Sequence, residues 1–226
     1  MRKAMVLGVL GLAGTLASPA FADEFTGFRM QMNLGSDKLD STLFLNAAPP
    51  PSTDSVKADR FGYGLGGGWA LNRYFAVEAN LRGGTNFNEH VFDALLPSSS
   101  YFIKSETSFK GVDLSALGSV WIGKKFAIFG RVGMFAWKAE ERMAVGNYFI
   151  DNPDPTPDTP ASKVVRSADD NGFDLIYGGG IQTVLDGALV RFEYQQTEFG
   201  DIGLANSFNL RDNKISSLVF SIVWTL

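Results

Sequence analysis

The chain has 226 residues, with 25 glycines, 19 phenylalanines, no cysteine and a formal net charge of −4. An acidic chain lacks the basic patch or stripe of a nucleic-acid binder, and without cysteine there is no disulfide framework and no thiol chemistry. The length suits one domain.

Arg2 and Lys3 open the chain with positive charge, and residues 4–17 are apolar or small. Ala20-Phe21-Ala22 then fits the small-x-small pattern of a cleavage site. Residues 1–22 therefore read as a cleaved signal peptide, and residues 23–226 as the mature domain. The apolar run is shorter than the ~18 residues wanted for a helical anchor, and no later stretch is long and apolar enough to be one. Removing Arg2 and Lys3 from the 20 basic residues leaves 18 against 24 acidic ones, a net charge of −6.

Beyond residue 23 the chain alternates with a period of two, the signature of strands whose successive side chains face opposite ways. The first strand is Phe25–Leu34, with Phe28, Met30, Met32 and Leu34 on one face and Arg29, Gln31 and Asn33 on the other. The second, Arg60–Leu71, sets Phe61, Tyr63, Leu65, Trp69 and Leu71 against Gly62, Gly64, Gly66 and Gly68. A face with almost no side chains points to a crowded surrounding, such as the inside of a narrow barrel. Leu71–Tyr74 turns into the third strand, Phe75–Gly84, where Val77, Ala79 and Leu81 alternate with Glu78, Asn80 and Arg82. The fourth, Phe109–Ile122, sets Val112, Leu114, Ala116, Val120 and Ile122 against Asp113, Ser115 and Ser119. Gly123–Lys125 turns into the fifth, Phe126–Trp137, where Ile128, Val132 and Met134 oppose Phe129, Arg131 and Phe135. The sixth is Phe173–Leu185, with Asp174 on its polar face. A hairpin turn at Asp186-Gly187 leads to the seventh, Ala188–Thr197, which sets Val190, Phe192 and Tyr194 against Arg191, Glu193 and Gln195. The eighth, Ile215–Leu226, carries Leu218, Phe220, Ile222, Trp224 and Leu226 on its apolar face.

Short turns follow strands two, four and six. Long connections, at 35–59, 85–108, 139–172 and 198–214, follow the others. Short turns at one rim and long loops at the other are the habit of outer-membrane barrels. The expected fold is thus all-β, an eight-stranded antiparallel up-and-down transmembrane β-barrel whose last strand closes on its first. A secreted sandwich or lipocalin-like barrel, with the apolar face inward, is the soluble alternative. Against it stand the aromatics near strand ends, Phe61, Trp69, Tyr74, Phe75, Phe126, Tyr194 and Trp224, which read as a lipid-facing girdle.

The fifth strand, Phe126-Ala-Ile-Phe-Gly-Arg-Val-Gly-Met-Phe-Ala-Trp-Lys-Ala-Glu140, resembles the corresponding strand of the OmpA transmembrane domain. So do Tyr177-Gly-Gly-Gly-Ile-Gln182 and Val190-Arg-Phe-Glu-Tyr-Gln195. In strand number and loop alternation the resemblance covers the mature chain; its sequence matches concentrate in strands five to seven. OmpA itself continues into a peptidoglycan-binding domain, whereas this chain stops at Leu226, so stand-alone barrels are the better match and cell-wall tethering does not carry over. The family commonly ends its barrel in phenylalanine; here Leu226 is last, with Trp224 two before it. The resemblance implies that the barrel-assembly machinery engages this last strand, and that lipid bilayer and lipopolysaccharide surround the barrel.

Eight strands enclose an interior that side chains can fill. The inward set contains Arg29, Arg82, Arg131 and Arg191 with Glu78, Asp113, Asp174 and Glu193, four of each sign. Charges removed from water need partners, so the set reads as a salt-bridge network. The resemblance implies interior charge at Glu78, Arg131, Arg191 and Glu193. It would also put a lysine where Leu117 stands, so a lysine–glutamate gate does not carry over intact. The expected role is structural or surface-interacting and adhesin-like, with the interior plugged by salt bridges and the long loops open to an extracellular ligand. A narrow pore gated by the ion pairs is the alternative, and a lipid A-modifying enzyme a distant third. His90, the only histidine, would serve that enzyme; no serine nucleophile stands beside it and no enzyme is expected. No cofactor or metal is expected either. Asp151, Asp154 and Asp158 lie in a proline-rich loop whose spacing matches no EF-hand, and Gly178–Gly180 lacks the Gly-Lys-Ser/Thr of a phosphate loop.

Overall fold

The computed structural model describes residues 26–45, 52–96, 99–149, 162–200, 202–204 and 208–226. The expected signal peptide and the aspartates at 151, 154 and 158 lie outside them. Ten strands are present: β1 (Gly27–Leu45), β2 (Ser52–Ala70), β3 (Phe75–Gly84), β4 (Phe87–Leu96), β5 (Ser99–Ile122), β6 (Phe126–Phe149), β7 (Ser162–Leu185), β8 (Ala188–Glu198), β9 (Ile202–Leu204) and β10 (Phe208–Thr225). Eight of them, β1, β2, β3, β5, β6, β7, β8 and β10, form a closed antiparallel barrel in chain order. Closure is the β1–β10 pairing, which runs from Arg29 opposite Thr225 to Leu45 opposite Phe208. A closed sheet leaves no unpaired edge for lipid to meet. Of the other two strands, β4 pairs with β5 and β9 with β10.

The three short turns have local causes. Asn72 Oδ1 accepts from Tyr74 N at 2.7 Å and from Phe75 N at 2.9 Å, an Asx turn. Gly123 takes φ +69° at the start of its turn. Asp186 and Gly187 take φ +47° and +82°, the left-handed pair that a two-residue type I′ hairpin requires.

At the short-turn end the strands begin and end within a few residues of where alternation puts them. At the other end they run on. β1 continues to Leu45 rather than stopping at Leu34, and β6 continues to Phe149 rather than Trp137. Much of what reads as long polar loop is strand: 35–59 is largely the β1–β2 hairpin, paired down to Leu45 opposite Ser52. The segment 85–108 holds β4 and the start of β5. β5, β6 and β7 are 24 residues each, against roughly 10 that cross a bilayer.

The outward face shows where the bilayer ends. Leu34 gives way to Ser36 and Lys38 on β1, Phe61 to Asp59 and Lys57 on β2, and Val112 to Lys110 on β5. On β6 Met134 is followed by Ala136, Lys138 and Glu140, and on β10 Leu218 is preceded by Ser216 and Lys214. Phe126 to Met134 is eight residue steps, ~27 Å along the strand. With a tilt of about 40° that is a height of ~20 Å, close to the apolar band of such barrels. Beyond this line the inward face changes as well. Leu39, Ala58, Phe87, Phe109, Trp137, Ala139, Phe199 and Ile215 are all buried. In the bilayer the barrel is apolar outside and polar inside; above it the pattern inverts to that of a water-soluble barrel. The inversion hid the strand ends from a reading based on one greasy face.

Candidate functional site: the barrel interior and its mouth

The interior is layered. Next to the short turns it is apolar: Ala70, Ala76, Leu117 and Phe129 form one cluster, and Leu189 and Val223 another, with Trp121 and Val184 packed against it. Leu117 sits in this layer, 3 % exposed.

The middle layer carries charge. Glu78 on β3 is held from across the lumen by two arginines. Arg191 Nη1 on β8 lies 2.7 Å from Glu78 Oε1 and 3.0 Å from Oε2, and Arg131 Nη2 on β6 donates to Oε2 at 3.0 Å. Arg131 also contacts Asp113 Oδ1 at 3.4 Å through Nη1, and its Nε lies 2.8 Å from Glu193 Oε1. Arg191 donates through Nε to Gln182 Oε1 at 2.9 Å and stands 5.4 Å over the Phe129 ring, on the apolar layer. Asn80 Nδ2 and Ser115 Oγ both donate to Asp113 Oδ1, at 2.9 and 3.1 Å.

Two bare strand faces make this layer possible. Gly68 of β2 lies between Arg29 of β1 and Glu78 of β3, and Gly66 between Gln31 and Asn80. A Cβ on Gly68 would stand 2.7 Å from Glu78 Cγ, and one on Gly66 would collide with Asn80 Oδ1. With no side chain between them, residues two strands apart meet: Gln31 Nε2 donates to Asn80 Oδ1, and so does Asn33 Nδ2, at 3.1 Å. β7 repeats the device, since Gly178 is flanked by Arg131 and Gln195, and Gly180 by Phe129 and Glu193. The Arg131–Glu193 pair spans that glycine strip.

Above the network Arg60 on β2 pairs with Asp37 on β1, Nε to Oδ2 at 2.9 Å, and donates through Nη1 to Phe109 O at 2.9 Å. Its guanidinium lies 4.6 Å over the Phe87 ring. Phe109, Phe135 and Trp137 then cluster around Phe199, with Phe199–Trp137 edge to face at 5.2 Å and Phe199–Phe109 at 5.3 Å. Phe199 follows β8 on its inward parity and stays bonded to β10: Phe199 N donates to Asn213 O at 2.7 Å, and Asn213 Nδ2 donates to Gly200 O at 2.8 Å. Between the network and this aromatic lid lies a cavity of about 20 Å³ bordered by Asp37, Asn80, Arg82, Asp113, Arg131 and Gln195, room for about one water.

Of the sequence-derived interior charges, Arg29, Glu78, Asp113, Arg131, Arg191 and Glu193 are buried in the middle layer. Arg82 borders the cavity, with Nε 4.0 Å from Asp113 Oδ2. Asp174 sits higher and accepts from Trp137 Nε1 at 2.5 Å. Asp37 and Arg60 were absent from that set. Both were visible in principle: Arg60 shares the parity of Gly62, and Asp37 that of Arg29 and Gln31. Phe199 was visible in the same way, since it continues the inward parity of Arg191, Glu193, Gln195 and Thr197, but it lies just past Thr197, where the strand read from the sequence ends. Among the girdle aromatics, Phe61 and Tyr194 face outward at the upper limit of the apolar band. Trp69, Tyr74, Phe75, Phe126 and Trp224 lie near the short turns. Phe173, 76 % exposed at the upper limit, belongs with them by position. His90 lies on β4, opposite Lys104 of β5. Among the described residues no cluster of three or more His, Cys, Asp or Glu side chains is arranged to hold a metal.

Outside and above the bilayer, Lys110 Nζ lies 3.0 Å and Lys138 Nζ 3.4 Å from Glu140 Oε1. These contacts, the Lys110 hydrogen bond first, hold the Glu140 carboxyl below its ordinary range.

The family model for the outer membrane protein beta-barrel domain matches residues 8–220. The chain belongs to that family. It is an outer-membrane β-barrel protein, surrounded by bilayer and lipopolysaccharide. Solved outer-membrane proteins are similar to it at low identity. OprG from Pseudomonas aeruginosa is 15 % identical over 89 % of this chain and 98 % of that one, with a TM-score of 0.49. Neisserial surface protein A is 13 % identical over 89 % and 98 %, and Ail, the attachment invasion locus protein of Yersinia pestis, 12 % over 88 % and 98 %, each with a TM-score of 0.41. No curated protein matches the chain.

Proposed function

We propose that this outer-membrane barrel is a non-catalytic surface-interaction protein whose interior is plugged and whose extracellular strand extensions carry the binding function. The observation that carries the reading is the inversion above the bilayer. A barrel that only spanned the membrane would have no use for strands twice the length of a span, with a charged outer face and an aromatic core. Apolar side chains below, paired charges in the middle and the Phe199 lid above leave a cavity of about 20 Å³, which supports a plug rather than a channel.

The test has two arms. Each extracellular hairpin is shortened in turn to the bilayer limit, with folding verified by the heat-dependent gel shift. Expressing cells are then scored for adherence to protein-coated surfaces. Loss of adherence with at least one shortened hairpin supports the reading; full adherence with all of them shortened, or none by the intact protein, refutes it. In planar bilayers the wild type should give no discrete current steps.

One observation favours the second reading, a pore. Among the described residues Arg82 makes the longest interior ion pair, 4.0 Å from Asp113, and it borders the cavity. Under that reading Arg82→Ala and Arg191→Ala change single-channel conductance; identical traces for both variants and wild type dispose of it.

A further inference from the structure

The chain is acidic, with 20 basic side chains against 24 acidic ones, yet the two limits of its apolar band differ in balance. At the upper limit lysines alternate with acids. Lys38 lies opposite Asp59, Lys57 opposite Asp40, and Lys214 between Asp40 and Glu198. Lys110 and Lys138 share Glu140, and Lys138 also reaches Asp169 at 3.6 Å. The short turns carry Arg73, Lys124 and Lys125, and among the described residues Asp186 is the one acidic side chain on those turns. Two of the turns are tied together, which gathers the three bases. Arg73 Nη2 donates to Gly123 O at 2.7 Å, Trp121 Nε1 donates to Arg73 O at 2.7 Å, and the guanidinium lies 4.5 Å over the Trp121 ring. Ser119 N donates to Tyr74 O at 2.8 Å. Arg73 is thus held against the start of the turn whose next two residues, Lys124 and Lys125, are exposed.

We propose that Arg73, Lys124 and Lys125 form a binding site for the phosphate of an anionic phospholipid in the leaflet that meets the short turns. Depth selects this ligand. Lys125 directly precedes Phe126, the first lipid-facing residue of β6, and Lys124 is one residue further. Both therefore stand within ~7 Å of the edge of the apolar band. The polar zone of a bilayer is ~5–8 Å deep on each side of the hydrocarbon, so the ammonium groups lie at the level of the phosphates. Ammonium and guanidinium donors make charge-assisted hydrogen bonds to phosphate oxygens. A headgroup with its own ammonium cancels part of that attraction, so the site favours a lipid of net negative charge. It lies at the opposite end of the barrel from the extracellular strand extensions and does not depend on what they bind.

The folded barrel in detergent is titrated with phosphatidylglycerol and, separately, with phosphatidylcholine of the same acyl chains. Bound lipid is counted by native mass spectrometry. Each base near a charged lipid surface is worth roughly fivefold in affinity, so phosphatidylglycerol should bind at least about tenfold more tightly. Lys124→Gln with Lys125→Gln, two exposed turn positions, should cut that preference to about threefold or less, and adding Arg73→Gln should remove the rest. Lys110→Gln with Lys138→Gln, at the other limit of the band, should leave it intact. The heat-dependent gel shift verifies that each variant is folded. Glycerol phosphate in about hundredfold excess should not displace the lipid. Displacement would make free phosphate the ligand and overturn the lipid assignment. Equal binding of both lipids by the wild type, a preference that survives the triple variant, or one lost equally in the Lys110 and Lys138 variant would overturn the proposal.

Discussion

Glu78 is the residue on which the interior depends most, and replacing it gives a quantitative test. Glu78→Gln keeps the shape and removes the charge between Arg191 and Arg131. Arg131 retains Glu193 at 2.8 Å and Asp113 at 3.4 Å. Arg191 keeps only neutral contacts: Gln182 at 2.9 Å, Gln31 at 3.4 Å and the Phe129 face. The variant thus takes from Arg191 its only carboxylate partner among the described residues while Arg131 keeps two, and it also removes the charge that offsets the burial of Arg29. Breaking a buried pair on one side costs about 3–5 kcal/mol, and the neutral contacts on Arg191 place the expected loss toward the lower end, ~3 kcal/mol. Arg191→Met alone should cost less, since Glu78 keeps Arg131. Removing both charges with Glu78→Leu and Arg191→Met should recover most of the loss, because a buried pair replaced by apolar groups of similar volume is often neutral. The assay is equilibrium urea unfolding from lipid vesicles followed by tryptophan fluorescence, with the slope checked for constancy. Losses under about 1 kcal/mol for Glu78→Gln, or a double variant as unstable as the sum of the singles, would refute the reasoning.

Further outcomes follow from the layers. Gly68→Val forces a side chain against Glu78 Cγ and should prevent folding or cost ~3 kcal/mol or more. Gly118→Ala points outward, with its nearest neighbour, the Phe75 ring, at 3.9 Å, and should stay within about 0.5 kcal/mol of wild type; thermal scans separate the two. Ala116→Arg puts a charge toward the middle of the lipid-facing band and should cost ~2–4 kcal/mol. Lys110→Ala, above the band in an exposed ion pair, should change stability by no more than about 0.5 kcal/mol. Trp137→Ala removes a wall of the aromatic lid and the donor to Asp174, and should cost about 3–5 kcal/mol, readable in the same urea titration.

The transmembrane half of this barrel was legible because lipid enforces one rule without exception: apolar outward on every second residue. The turns were legible because Asn72, Gly123 and Asp186-Gly187 carry local chemistry that alternation does not touch. The extracellular half obeys the opposite rule, so Lys38, Asp59 and Glu140 read as loop when they lie on strands beyond the end of the bilayer. Interior charge was readable by parity at Glu78, Arg131 and Arg191. Which charge meets which was not, because Glu78 and Arg191 are 113 residues apart and meet across a closed lumen. The bare glycine face of β2 pointed to a crowded barrel interior, and the contacts across Gly66 and Gly68 give it a definite use. Phe199 keeps the inward parity of Gln195 and Thr197 and escaped notice only because the strand read from the sequence ended at Thr197.

The central claim is that the pattern inverts at the bilayer limit around a filled interior. Single-cysteine accessibility along β6 in the cysteine-free chain tests it most directly. An aqueous, membrane-impermeant thiol reagent should label cysteines at Lys138 and Glu140. It should leave Val132 and Met134 to a lipid-soluble reagent, and Arg131, Phe135 and Trp137 to neither. Aqueous labelling at Arg131, Phe135 and Trp137 in the folded protein would mean an open lumen and would contradict the account.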